Sequence, residues 1–84
     1  MTKHKLLTKI QGNNKNVDYN DFVTLIKAYN FRRTRGAGSH EVYRCDGVAE
    51  IVNIQNKNGK AKPYQVKQFL TLVEKYNLRL EKES

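Results

Sequence analysis

FRRTRGAGSHEVYRCDGVAEIVNIQ, residues 31–55, decides how this chain folds. On either side of it apolar residues recur with the 3.6-residue period of a helix. Within it that period is lost, and short runs of mixed apolar and charged residues are separated by glycine-containing turns. Residues 31–35 and 40–45 flank Gly36-Ala37-Gly38-Ser39, and Asp46-Gly47 separates the second run from residues 50–55. Asp-Gly favours a hairpin because both central residues of such a turn need positive φ. The expectation is three strands joined as an antiparallel meander. In the second strand His40, Val42 and Arg44 share one face while Glu41, Tyr43 and Cys45 share the other; in the third, Val52 and Ile54 oppose Ile51 and Asn53. Neither alternation is clean, so the pattern leaves open which face is buried, and with it whether His40 meets water.

Upstream of that stretch, Tyr19, Phe22, Val23, Ile26 and Tyr29 repeat at i, i+3, i+4, i+7 and i+10, one apolar stripe of an amphipathic helix. Asp18 suits the N-cap, Asp21 the first turn, Val17 against Phe22 a hydrophobic staple, and Asn30 a stop. Leu6, Leu7 and Ile10 have helical spacing too, but Gly12-Asn13-Asn14 closes that segment quickly. Residues 1–16 therefore read as an N-terminal extension holding a short helical turn at best. Downstream, residues 56–62 read as a polar, basic loop, and Pro63 suits the first position of a helix. Val66, Phe69, Leu70, Val73 and Tyr76 form the second stripe, Asn77 ends it, and residues 81–84 read as a frayed tail. The predicted class is α+β in the order α-β-β-β-α, with two helices packed on one face of a three-stranded antiparallel sheet. At 84 residues this is a single small domain with one thin core.

Sixteen Lys plus Arg against eight Asp plus Glu give a net charge of +8, and the sequence pI is about 9.8. The charge is unevenly placed. No acid lies between Asp21 and Glu41, where Lys27, Arg32, Arg33 and Arg35 fall, nor between Glu50 and Glu74, where Lys57, Lys60, Lys62 and Lys67 fall. Such blocks point to a polyanion, nucleic acid first, with a solvated face that aids solubility as the bland alternative. Cys45 is the single cysteine, which excludes an intrachain disulfide. Met1 to Leu7 lack an apolar core or small-residue cleavage site, so the expected location is cytoplasmic, without a membrane span. Cys45, His4 and His40 fit no zinc-ligand spacing, and neither metal nor other cofactor is expected.

RNA carries its own nucleophile. To cleave it, a protein need only remove the 2′-hydroxyl proton, stabilise charge on phosphorus and help the 5′-oxygen leave. Histidine is the side chain best matched to the proton transfer at neutral pH, and arginine grips phosphate oxygens bidentately. His40 is accordingly the candidate general base or acid. Arg33, Arg35, Arg44, Lys60 and Lys62 are the candidate phosphate ligands, and the expected products are a 2′,3′-cyclic phosphate and a 5′-hydroxyl. No second histidine lies near the turn; Tyr43 and Tyr64 are sterically eligible as acids, although packing or partner contact is their simpler role. His4 falls in the N-terminal extension, read as a mobile tail.

The Gly38-Ser39-His40 turn followed by Val42 and Tyr43, within α-β-β-β-α, resembles the HicA toxins of bacterial toxin–antitoxin pairs. The stretch Asn53-Ile54-Gln55 through Gly59-Lys60-Ala61-Lys62-Pro63-Tyr64-Gln65-Val66, with Phe69-Leu70, is similar to a subgroup of that family. The resemblance covers residues 17–78. It implies a double-stranded-RNA-binding-domain-like fold that cleaves mRNA, with His40 catalytic, Gly38 and Ser39 forming the turn that presents it, and a HicB-type antitoxin as partner. Glu41 departs from the family pattern, which often has a second histidine or an apolar residue there. That departure implies either a negative charge beside the scissile phosphate or a raised His40 pKa. Two other classes stay open on the residues themselves: a non-catalytic double-stranded-RNA-binding module, and a basic interaction domain for an acidic protein.

Overall fold

Asn30 and Asn77 close the two amphipathic stripes with φ of 73° and 50°, a left-handed conformation that asparagine tolerates and that stops a helix. A computed structural model describes residues 2–80. The elements are α1 (Lys3–Gly12), α2 (Tyr19–Ala28), β1 (Arg32–Ala37), β2 (His40–Arg44), β3 (Val52–Lys57), β4 (Lys60–Ala61) and α3 (Pro63–Lys75). The strands lie side by side in chain order, each antiparallel to its neighbour. The α+β class holds, with three helices and four strands among the described residues rather than two and three. The expected frayed tail, residues 81–84, lies outside the described residues.

The stripes bury as their period requires. Phe22, Leu25 and Ile26 of α2 and Val66 and Phe69 of α3 meet Tyr43, Val52 and Ile54 of the sheet in one core. Tyr43, Val52 and Ile54 project from one face, so that face is covered by the helices and the other is open. Phe69 is the hub: its ring meets Phe22, Tyr29 and Phe31 edge-on, with centroids 5.8, 5.7 and 5.4 Å away.

Four expectations are corrected. The loop at residues 56–62 is a hairpin, because Asn58 and Gly59 adopt the paired positive φ, 52° and 83°, that an Asn-Gly two-residue turn supplies. Its return arm, β4, pairs with the end of β3 and is held from the other side, where Ala61 N–H donates to the Val17 carbonyl at 2.9 Å. The N-terminal segment is a ten-residue helix and not a brief turn. Thr2 caps it by accepting the Lys5 N–H at 3.1 Å, and Leu6 and Ile10, one turn apart, are buried in the core. His4 therefore sits on an ordered, exposed helix position. Asp46-Gly47 turns the chain, with Gly47 at φ 86°, yet β3 begins only at Val52 because Val48 is drawn into the core between them. Asp18 stands at the N-cap of α2 without a side-chain capping bond; its carboxylate instead accepts from Lys60 Nζ at 2.6 Å.

Glu50 clamps the 45–51 connection to the end of α3, accepting from Lys75 Nζ at 2.6 Å and from the Tyr76 hydroxyl. The Lys75 hydrogen bond, then that of Tyr76, hold its carboxyl below the usual glutamate value. A carboxyl whose pKa falls on folding stabilises the chain when ionised, so its contribution is present above the ordinary value of 4.5 and is lost as pH drops through the lowered one. Glu50→Gln should therefore be less stable than wild type at neutral pH, and the gap should close on acidification, as read by thermal melts across that range.

Candidate nucleic-acid interface

The β1–β2 hairpin is tight: Ala37 pairs with His40 across Gly38 and Ser39, with Gly38 at φ 60°. The turn places His40 as the first residue of β2, paired on its other side with Gln55 of β3. His40 is exposed and shares the open face with Val42 and Arg44. Its ring makes no hydrogen bond or ion pair within the described residues.

A bulge sorts the arginines. Arg33 pairs with Tyr43 and Arg35 with Val42, leaving Thr34 unpaired between them, and the Thr34 hydroxyl donates to the Val42 carbonyl at 3.3 Å. Cross-strand partners share a face, so Arg33 turns to the helix side and Arg35 to the open side. Without the extra residue, two positions spaced i, i+2 would have pointed the same way. Arg32 lies directly opposite Arg44 on the open face. Arg35 and Arg44, with Thr34, Val42 and Ile51, line an open groove of about 270 Å³, and no carboxylate of the described residues lines it. Like charges facing each other across a sheet destabilise it unless an anion intervenes. Asp46, 3.6 Å from Arg32 in a solvent-exposed pair, is the acid at hand.

Glu41 faces the other way. Its carboxylate accepts from the Tyr19 hydroxyl and pairs with Arg33 Nε at 2.8 Å, and the Arg33 guanidinium lies over Gly36, where a Cβ would stand 2.5 Å from Nη2. The strand sets Glu41 on the face opposite His40, so it does not place a negative charge beside a phosphate held on the open face. Arg33 is likewise committed to Glu41 and leaves the set of candidate phosphate ligands. Glu41→Ala should cost about 1–2 kcal/mol, because it leaves the hydroxyl of the buried Tyr19 without its acceptor. Thermal melts of wild type and variant would read the loss.

Tyr43 is also excluded as a proton donor at the open face. It is buried on the helix side, and that burial, followed by the Glu41 charge, raises its hydroxyl pKa. Cys45 is half-buried, and the same cause raises its thiol. Among the described residues no cluster of three or more His, Cys, Asp or Glu is present, and no helix is long and apolar enough to cross a membrane.

The candidate lysines gather at the neighbouring end of the sheet. Lys60 and Lys62 line a second open groove, of about 350 Å³, with Lys15, Lys57 and Tyr64. Lys60 is engaged by Asp18, whereas Lys62 stands at the N-cap of α3. This end is tied to the histidine turn through the backbone. Asn56 N–H donates to the Ser39 carbonyl at 2.9 Å. Gln55 N–H, lying beyond the two residues of β4, donates to Gln65 Oε1 at 2.8 Å. Gln65 is the one buried polar side chain among the described residues. Its signal in the sequence is its place four positions before Phe69, which puts a polar group on the buried stripe of α3.

No family model, curated protein or solved structure matches this chain. The open-face histidine and its arginines thus have to be interpreted on their own chemistry. That face offers Arg35 and Arg44 to a phosphodiester, and it carries one imidazole, His40, two residues along β2 from Val42.

Proposed function

We propose that this chain is an RNA-cleaving toxin of the HicA type, acting in the cytoplasm on mRNA and silenced by a HicB-type antitoxin. The observation that supports this best is the sharing of one solvent-open sheet face by His40, Arg35 and Arg44, while Glu41 is turned away. On this reading α2, β1, β2, β3 and α3 form a double-stranded-RNA-binding-domain-like unit, to which α1 and β4 are additions. Arg35 and Arg44 hold the scissile phosphate and offset its growing charge. His40 takes the 2′-hydroxyl proton or returns one to the 5′-oxygen. An antitoxin that covers the His40 turn and these two arginines blocks both binding and chemistry.

Incubating RNA with the purified protein in the presence of a chelator, and determining the new ends, tests the reaction. The expected ends are a 2′,3′-cyclic phosphate and a 5′-hydroxyl. A 3′-hydroxyl with a 5′-phosphate, or complete dependence on magnesium, would overturn this route.

A second reading, a non-catalytic RNA-binding module, is favoured by one fact: no neighbouring group among the described residues orients the His40 ring. It requires that wild type leave RNA intact and that His40→Ala keep full affinity.

A further inference from the structure

The lysine groove beside the histidine turn has features that the cleavage chemistry does not use. Lys57, Lys62 and Lys15 come from β3, the N-cap of α3 and the α1–α2 connection. None of the three has a carboxylate partner among the described residues. Asp18, which bridges to the strand carrying Lys60, is spent on the Lys60 ammonium. At the lip of the groove stands Tyr64, 55% exposed and, among the described residues, one of two large hydrophobic side chains left in solvent. Its hydroxyl accepts from Gln65 Nε2 at 3.4 Å, and Gln65 is itself fixed to Gln55, the strand partner of His40. An exposed ring beside three free cations is the pairing by which proteins hold a single strand: lysines follow the backbone, and an unpaired base lies on the ring. Along β3, Lys57 is two residues past Gln55, about 7 Å along the strand from the level of His40. That distance suits a neighbouring nucleotide and not the reacting one.

We propose that this groove is a second RNA subsite, in which Tyr64 stacks an unpaired base and Lys15, Lys57 and Lys62 hold the adjoining phosphates, so that the substrate is single-stranded RNA. The inference rests on the RNA reading above but not on cleavage. A duplex cannot satisfy it, because its bases are already stacked and paired.

Binding should be measured in the His40→Ala background, so that the probe stays whole. The probe is a short fluorescent single-stranded RNA, compared with the same strand annealed to its complement. Tyr64→Leu should weaken single-strand binding about 5- to 150-fold, and Tyr64→Phe should leave it near the parent. Changing Lys15, Lys57 and Lys62 to glutamine should reduce the slope of log affinity against log salt by about 2. Equal binding of duplex and single strand, or Tyr64→Leu matching Tyr64→Phe, would overturn the subsite. If wild type proves unable to cut RNA while these binding differences hold, the subsite stands and the cleavage reading falls. Tyr64 is exposed, so melting curves should confirm that every variant is folded.

Discussion

His40→Ala is expected to lower RNA cleavage by about 10²–10⁴-fold, the usual worth of positioned acid–base catalysis, with no loss of thermal stability. The ring is exposed and holds nothing in place, so its removal leaves no unpaired group or cavity. This separation of activity from folding makes the variant informative. In cells, wild type should arrest growth and cut messages, and His40→Ala, present at the same level, should do neither. Identical behaviour of the two proteins would remove His40 from the reaction. Arg35→Ala and Arg44→Ala give an internal comparison, since they occupy the same face without supplying a proton.

The largest expected effect on stability is at Phe69. Its side chain is fully buried and touches three other rings edge-on. Truncation to alanine removes those contacts and opens a cavity between α2, α3 and the sheet, a loss of about 3–5 kcal/mol. Domains of this size have total stabilities at the low end of about 5–15 kcal/mol. Phe69→Ala should therefore be mostly unfolded near body temperature and show little cooperative melting. Phe69→Leu, which keeps most of the volume, should remain folded with a lowered midpoint. A Phe69→Ala protein that melts like wild type would mean that the aromatic cluster is not the centre of the core.

The helices were legible because their apolar residues kept a strict period and because Asn30, Pro63 and Asn77 punctuate them. The strands were harder. A meander was readable from the turns, but β4 was hidden inside a lysine-rich loop whose Asn58-Gly59 signal was outweighed by its polarity. The α1 helix was underestimated because Gly12-Asn13-Asn14 looked like an early stop, whereas Leu6 and Ile10 gain their stability from burial and not from propensity. At the candidate site, His40 and its turn could be picked out by residue type. The division of labour among the arginines could not: Arg33 and Arg35 differ only through the bulge at Thr34, and a bulge depends on pairing rather than on composition. The role of Glu41 was likewise out of reach, since its partner Tyr19 lies on another element.

The position of Phe69 also bears on how the protein is made. Residues 19–61 contribute α2 and all four strands, yet the surface that α3 covers includes Phe22, Tyr29 and Phe31. A growing chain that has not yet produced Phe69 must leave those rings in water, and so cannot settle into a stable domain at that point. The histidine turn precedes α3 in the chain, so the core beneath its sheet closes only once α3 has been made. A chain that lacks α3 therefore carries the histidine turn on a sheet with one apolar face uncovered.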